Sequence, residues 1–89
     1  MNSHITNNFL DCYSKLPDKI KQSARKSYKL WKENPNLPGL EFKRVHTKMT
    51  IYSVRIRIGW RALGVVENND IIWFWIGSHA DYDKILKSF

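Results

Sequence analysis

A run of six apolar residues, 71–76, constrains the fold of this chain more than any other segment. It contains two Trp and one Phe, and it is too short to cross a membrane. Its β-branched and aromatic residues favour a strand, and the lack of alternation is typical of a strand buried on both faces. We therefore predict a central strand here, ended by Gly77.

Polar residues that can transfer protons or stack on a base follow this strand directly, namely Ser78, His79, Asp81 and Tyr82. Side chains at the end of a rigid strand are held in place well enough to form a site. His79 suits proton transfer near neutral pH, and Asp81 is placed to orient it. Two structural interpretations stay open, in which His79 caps the chain locally and Tyr82 belongs to the core.

The length and composition predict one domain, 1–89, without a metal or other cofactor. Cys12 is the only cysteine, so no internal disulfide forms, and one Cys with three scattered His is too few for a zinc site. The first residues carry no signal-peptide pattern, and no apolar run approaches the roughly 20 residues of a membrane span. We expect a cytoplasmic protein that does not enter a membrane.

The positive charge is concentrated in one half of the chain. The formal net charge is +7, but residues 15–61 alone hold eight Lys and five Arg against three acidic residues, a net charge of +10. A concentrated basic region favours nucleic acid or an acidic protein as partner. The alternative is a lysine-rich surface that is merely solvated.

Two helices are predicted in the first half of the chain. The first begins at Thr6 or Asn7 and ends at Leu16, and the second runs from Pro17 to about Asn34. The second has an apolar stripe at helical spacing, formed by Ile20, Ala24, Tyr28 and Trp31. Its other faces are basic, with candidate RNA-binding residues at Arg25, Lys29 and Lys32.

Strands joined by tight turns fill the second half. We predict an imperfect strand over 40–46, a clear one over 51–58, another over 60–66, and a short helix over 80–89. Residues 4–6 form at most a stub of edge strand. The fold class is therefore α+β, with a two-helix hairpin packed on a twisted, mainly antiparallel sheet of three or four strands.

One face of the predicted sheet carries a cluster of cations. In the strand over 51–58, Tyr52, Val54, Ile56 and Ile58 point to one side, and Ser53, Arg55 and Arg57 to the other. Arg61 follows in the next strand. The helices cover only one face, so we expect the arginine face, which also bears apolar residues, to be covered by a segment of a partner.

These side chains suit RNA cleavage without a metal. The reaction removes a proton from the 2′-oxygen, neutralises charge at the phosphate, and returns a proton to the leaving 5′-oxygen. The permanently charged forks of Arg55 and Arg61 match a phosphate but cannot act as bases, whereas His79 can transfer a proton. The arginines suit an acidic partner equally well.

The motifs together resemble the RelE/ParE toxin superfamily of bacterial type II toxin–antitoxin systems, over nearly the whole chain and on the RelE/HigB-like side. The resemblance lies in the helical start Thr6-Asn7-Asn8-Phe9, the Leu16-Pro17 turn, and the Asn34-Pro35 segment before Leu40-Glu41-Phe42-Lys43. It also lies in three motifs: Tyr52-Ser53-Val54-Arg55, Trp60-Arg61-Ala62-Leu63, and Trp73 to His79 followed by Asp81-Tyr82. It implies two helices on a twisted antiparallel sheet. It also implies a cytoplasmic protein bound by a cognate antitoxin in a toxin–antitoxin hetero-oligomer.

The RelE-like branch of this superfamily consists of endoribonucleases that cut mRNA in the ribosomal decoding site. By position, the resemblance makes Arg55 and Arg61 phosphate ligands, His79 the residue that acts on the leaving group, and Tyr82 the aromatic residue that stacks or positions the 2′-oxygen. Lys43 and Arg57 become supporting phosphate contacts, and the Lys-rich helices face ribosomal RNA. No cofactor is implied.

The chain departs from some superfamily members at two positions, because Ser53 and Arg55 stand where those members carry Lys. Without a lysine, the resemblance leaves His79 or Tyr82 as the base. Two alternatives follow. The ParE-like branch inhibits DNA gyrase and does not need this catalytic set, and a degenerate member keeps only its antitoxin-binding surface.

Overall fold

The computed structural model of the protein describes residues 1–89 and confirms the α+β class. In chain order the elements are β1 (Asn2–Ile5), α1 (Asn7–Ser14), α2 (Asp18–Glu33), a 3₁₀ turn (Pro38–Leu40), β2 (Lys43–Arg44), β3 (Ile51–Arg57), β4 (Trp60–Glu67), β5 (Asp70–Ser78) and α3 (His79–Lys87). None of the three helices has the length and apolar character that crossing a bilayer requires.

The five strands form one sheet in the order β1-β5-β4-β3-β2. β5 has a neighbour on each side, as its unbroken apolar run predicts. The predicted strand count of three or four was wrong, because residues 2–5 form a fifth strand that pairs parallel to β5. The polar sequence of β1 has no strand pattern, and backbone pairing with the edge of β5 holds it in place.

The first core lies between the sheet and the helices α1 and α2. Trp31 is 2% exposed and packs edge-on against Trp73, with ring centroids 5.4 Å apart. The Thr6 hydroxyl accepts a hydrogen bond from the amide of Phe9, which confirms Thr6 as the N-cap of α1. α2 ends at Glu33, as the proline at position 35 predicts. The structure therefore confirms both helices.

One member of the predicted stripe on α2 is displaced from the core. Tyr28 is 40% exposed, and Ser27 is buried in its place. The Ser27 hydroxyl donates to the carbonyl of Ile56 at 2.9 Å. This hydrogen bond satisfies a polar side chain at the helix–sheet interface and ties α2 to β3.

The second core lies on the opposite face of the sheet, where α3 packs. Tyr82 of α3 joins Ile51, Leu63 and Trp75 in a buried cluster, with Ile85 at its margin. The expectation that no element covers this face was wrong. The terminal helix folds back on it because its own apolar side has no other surface to bury.

A register shift lets β5 supply both cores. Strict alternation would place Trp73 and Trp75 on one face, but the β4–β5 register shifts between Leu63 and Gly64. Trp73 consequently belongs to the first core and Trp75 to the second. The bulge thereby distributes the apolar run of 71–76 over two faces.

Of the strand predicted over 40–46, only Lys43–Arg44 forms a strand in the structure. Glu41 adopts a left-handed conformation with φ of 46°, which ends the pairing that β2 would otherwise extend along β3. At the far end of β3, Ile58 was wrongly assigned to the buried face. It is 80% exposed in the turn before Gly59, whose φ of 82° suits glycine.

Gly64 offers a test of packing at the register shift. A β-carbon there would lie 2.8 Å from Cγ1 of Ile71 and 2.9 Å from Cε3 of Trp73, both in the first core. We expect Gly64→Ala to lower the free energy of unfolding by about 1–3 kcal/mol through overpacking. Urea denaturation measures this. Gly39→Ala is the control, since nothing lies within 4 Å of its added carbon; equal stability of the two variants would contradict the packing described.

Candidate functional site

Arg61 is a buried cation at the centre of the arginine face. It is 7% exposed, and its Nε donates to the hydroxyl of Ser53 at 2.7 Å. Its two terminal nitrogens reach Glu41, one to Oε1 at 3.3 Å and the other to the backbone carbonyl at 3.4 Å. Burial of a charge is tolerated when its donors are paired in this way. Ser53, fully buried, thus acts as the partner of Arg61.

Glu41 joins the two arginines that the sequence predicts as phosphate ligands. Arg55 lies directly opposite Arg61 on the neighbouring strand, where two like charges repel each other. The second carboxylate oxygen of Glu41 accepts from Arg55 at 3.0 Å, so one carboxylate bridges both guanidinium groups. The structure therefore brings Arg55 and Arg61 together, with an acid that sequence reasoning missed.

The two arginines hold the pKa of Glu41 below its ordinary value. The hydrogen bond from Arg61 is the largest cause, partial desolvation opposes it, and the hydrogen bond from Arg55 adds to it. Glu41 keeps an uncommon backbone conformation in order to reach both partners. One feature of the sequence could have indicated Glu41 as a partner of the arginines, since it is one of only three acidic residues within the basic segment 15–61. Its left-handed backbone carries no such signal.

His79 and Tyr82 extend this cluster along α3. Ser78 caps the helix by accepting the amide of Asp81, which places His79 at its first position. The ring centroid of Tyr82 lies 5.4 Å from the ring centroid of His79 and 5.4 Å from Cζ of Arg61. The four predicted catalytic residues therefore form one contiguous group, in which Tyr82 is the buried contact between Arg61 and His79.

The carboxylate beside His79 differs from the one predicted. Asp83, one helical turn on, has its Oδ1 3.7 Å from Nε2 of His79, whereas the backbone of Asp81 serves the helix cap. The His79 side chain is 55% exposed. It is therefore accessible to a substrate that lies on the arginine face.

The five predicted RNA-binding residues fall into two separate groups. Lys43 and Arg57 lie on the sheet, where Lys43 pairs with Ser53 across the β2–β3 ladder beside the arginine cluster. Arg57 was wrongly assigned to the face of Arg55, because a register shift after Arg55 sets Arg57 opposite Trp60, which packs against the first core. The other three residues lie on α2, which packs on the opposite face of the sheet, and they are Arg25, Lys29 and Lys32. One substrate strand cannot contact both groups without passing around the edge of the sheet.

The arrangement supplies the parts of an anion site with proton-transfer groups. An ionised carboxylate stands within hydrogen-bonding distance of two cations, and an exposed imidazole lies on α3. Guanidinium groups hold a phosphate by paired N–H donors. The ionised carboxylate can accept a proton, and an imidazole can accept or give one near neutral pH.

A small α+β chain with two helices packed on one face of a five-stranded sheet has the fold of RelE-type toxins. The sequence model of the ParE-like toxin domain matches residues 18–84, and the chain belongs to this family, within the RelE/ParE superfamily. No curated protein matches the chain by sequence at a significant level.

Solved structures share the fold at low sequence identity. RelE in the RelB–RelE antitoxin–toxin complex of Methanococcus jannaschii gives a TM-score of 0.74 at 16% identity, over 97% of this chain and 98% of that one. The isolated RelE toxin of E. coli gives 0.66 at 13% identity, over 99% and 98%. The YoeB toxin of Staphylococcus aureus, solved as a dimer, gives 0.66 at 19% identity, over 89% and 97%.

The lowered pKa of Glu41 predicts how stability depends on pH. A carboxyl with a folded-state pKa below its unfolded value stabilises the fold above the unfolded pKa, and this contribution is lost as pH falls through the folded pKa. Glu41→Gln should therefore be less stable than the unmodified protein at pH 7. The difference should shrink as the pH falls below the ordinary carboxyl value of 4.5.

Urea unfolding of both proteins between pH 3 and pH 7 measures this difference. Glu33→Gln is the matched control, because Glu33 is exposed at the end of α2 and forms no ion pair. If the free energies of unfolding of Glu41→Gln and of the unmodified protein differ by the same amount at every pH in this range, the ion-pair assignment is contradicted.

Proposed function

We propose that the protein is the toxin of a type II toxin–antitoxin system and that it cleaves mRNA on the ribosome in the cytoplasm. The observation that carries the proposal is the contiguous group of Arg55, Glu41, Arg61, Tyr82 and His79 on one sheet face. Such a group contains the cations, the base and the acid that metal-free RNA cleavage needs.

The proposed reaction is an internal phosphoryl transfer. The 2′-oxygen loses its proton and attacks the adjacent phosphorus, and the bond to the 5′-oxygen breaks as that oxygen gains a proton. The products are a 2′,3′-cyclic phosphate and a free 5′-hydroxyl. The negative charge that develops on the phosphate lies over Arg55 and Arg61, whose fixed positions stabilise it without reorganisation.

Glu41 supplies the base for which the sequence left only His79 or Tyr82. Its carboxylate is ionised at neutral pH because both arginines lower its pKa. When a phosphate takes over the N–H donors of Arg55, the carboxylate loses a hydrogen bond and its pKa rises towards the ordinary value. The carboxylate is then a stronger base beside the bound phosphate, and it accepts the 2′-proton.

His79 then acts as the acid that protonates the leaving 5′-oxygen. It stands exposed at the first turn of α3, with Oδ1 of Asp83 3.7 Å from its Nε2. Tyr82 fixes the distance between His79 and Arg61 through its two ring contacts. A substrate base stacks at the exposed margin of this ring pair, on the side of His79.

The remaining cations hold the larger assembly. Lys43 contacts a phosphate that flanks the cleaved one, Arg57 contacts the RNA backbone beyond the end of β3, and the exposed basic face of α2 contacts ribosomal RNA. Contacts of this kind release counterions, so binding should weaken steeply with salt. The neutralising partner is a cognate antitoxin, because structures of the same fold are those of RelB–RelE complexes from M. jannaschii and Pyrococcus horikoshii.

One observation favours the alternative of a non-nuclease ParE-like inhibitor of DNA gyrase, or of a degenerate antitoxin-binding module. Each of the three guanidinium nitrogens of Arg61 donates a hydrogen bond to Ser53 or Glu41, and the side chain is buried. An arginine in this state stabilises the sheet whether or not RNA is cleaved. The alternative retains the fold and the partner but needs no proton transfer.

Replacement of His79 separates the two functions. The protein, expressed alone in bacteria, should produce mRNA cuts at fixed positions within translated codons, and His79→Ala should reduce them by about 100-fold or more through loss of the acid. Mapping of mRNA 5′ ends across a translated and an untranslated transcript measures this. His4→Ala is the matched control, since His4 is also exposed and its Nε2 lies 3.2 Å from a carboxylate, Asp70.

Cuts that persist in His79→Ala at full frequency would contradict the proposed acid. Growth arrest without any cut, accompanied by loss of DNA supercoiling, would assign the protein to gyrase inhibition. The absence of both growth arrest and mRNA cuts would identify a degenerate toxin.

A further inference from the structure

A cavity of about 370 Å³ lies between the helices α1 and α2 and the sheet, on the face opposite the arginine cluster. Eleven of its fourteen lining residues are hydrophobic. Ala24 of α2 and Ala62 of β4 line it, and their small side chains leave the space open. An apolar cavity of about 150 Å³ can hold one benzene ring. The larger cavity here therefore has room for a molecule of two fused rings.

Aromatic rings form much of the cavity wall. Phe9 and Tyr13 of α1 stack with ring centroids 6.5 Å apart, and Tyr28 and Trp31 of α2 stack at 6.2 Å. Trp73 of β5 supplies a fifth ring, edge-on to Trp31. Aromatic rings attract one another by more than the area they bury, in stacked or edge-to-face arrangements. These walls therefore favour a ligand with a ring system over one with a flexible apolar chain.

Two of the three polar residues that line the cavity are satisfied within the protein. The hydroxyl of Ser3 accepts from Nε1 of Trp73 at 3.0 Å. The hydroxyl of Ser27 donates to the carbonyl of Ile56 at 2.9 Å. Neither serine needs a ligand to complete its hydrogen bonds. Arg25, the third, is the polar residue that a ligand in this cavity would meet with donors still free.

Arg25 holds a cation at the mouth of the cavity. One of its terminal nitrogens donates to the hydroxyl of Tyr13, which orients the exposed guanidinium beside the cavity wall. Its remaining N–H groups have no partner in the protein, and no carboxylate pairs with it, unlike the arginines of the arginine cluster. Nζ of Lys21 lies 5.9 Å from the ring of Tyr13 and adds a second positive charge. A free guanidinium fork matches a carboxylate.

We propose that this cavity is a binding site for a small aromatic carboxylate. The ring system lies among the aromatic side chains, and the carboxylate pairs with Arg25 at the mouth. The class of ligand follows from the two features together, because the cavity offers apolar ring contacts inside and unpaired cationic donors at one point of its rim. The site lies on the face opposite Arg55 and Arg61, and the proposal goes beyond RNA cleavage and does not depend on it.

Two probes with the same ring system test the proposal. Sodium 2-naphthoate, added to the isotope-labelled full chain, should shift NMR signals of residues around the cavity along one saturable curve, with a dissociation constant on the order of 0.1 mM. The neutral compound 2-naphthalenemethanol should bind at the same place but about tenfold more weakly, because it cannot form the charge-assisted hydrogen bonds to Arg25. Equal affinity for the two probes would overturn the assignment of a carboxylate.

Variants of α2 separate the charge from the cavity. Arg25→Gln should weaken the binding of 2-naphthoate about tenfold and leave that of 2-naphthalenemethanol unchanged. Lys29→Gln is the matched control, because it removes the same charge from an exposed position of the same helix that does not line the cavity. Ala24→Met fills the cavity with a helix-forming side chain and should weaken the binding of both probes at least tenfold, with circular dichroism as the test of folding.

Nuclear Overhauser effects locate the probe in the unmodified protein, so the test does not depend on whether Ala24→Met folds. Protons of bound 2-naphthoate should show such effects to the methyl groups of Ala24 and Ala62. No saturable binding, or effects confined to residues outside the cavity, would overturn the proposal. Equal losses of affinity in Arg25→Gln and Lys29→Gln would also overturn it, because binding would then reflect the general positive charge of α2. None of these measurements depends on toxicity or on RNA cleavage.

Discussion

The buried guanidinium of Arg61 is the constraint on which the rest of the arginine face depends. A cation removed from water is tolerated only if its donors are paired, and the chain meets this need from three directions. Ser53 places a hydroxyl on the facing strand, Glu41 leaves the sheet in a left-handed turn to present its carboxylate, and Tyr82 stacks its ring beside the guanidinium. These partners fix three separate elements relative to β4.

The same constraint explains how a short chain supports a site. The register shift in β5 places Trp75 on the arginine face, and Trp75 with Leu63 forms the surface on which α3 packs through Tyr82. α3 in turn carries His79 to the margin of the cluster. The second core therefore has two roles, because the packing that stabilises the fold also holds the candidate catalytic residues in position.

Most of the fold follows from sequence because local pattern and tertiary contact agree over its main elements. The apolar run of β5, the alternation of β3 and the helical spacing of Ile20, Ala24 and Trp31 each predict the observed element. β1 and the bulge were not predictable, because pairing with β5 rather than side-chain pattern determines them. Glu41 was missed since its position depends on an uncommon backbone angle, whereas Arg55 and Arg61 share a face by strand period alone.

If the arginine pair stabilises the charge on a cleaved phosphate, its removal should slow cleavage by the purified protein on ribosomes that carry a defined mRNA. The comparison is between Arg55→Ala and Arg44→Ala, since Arg44 is a nearby exposed arginine bonded only to loop carbonyls. Cleavage by Arg55→Ala should be slower by about 100-fold or more, and cleavage by Arg44→Ala should change little. Equal rates for the two variants would contradict this role of the arginine pair.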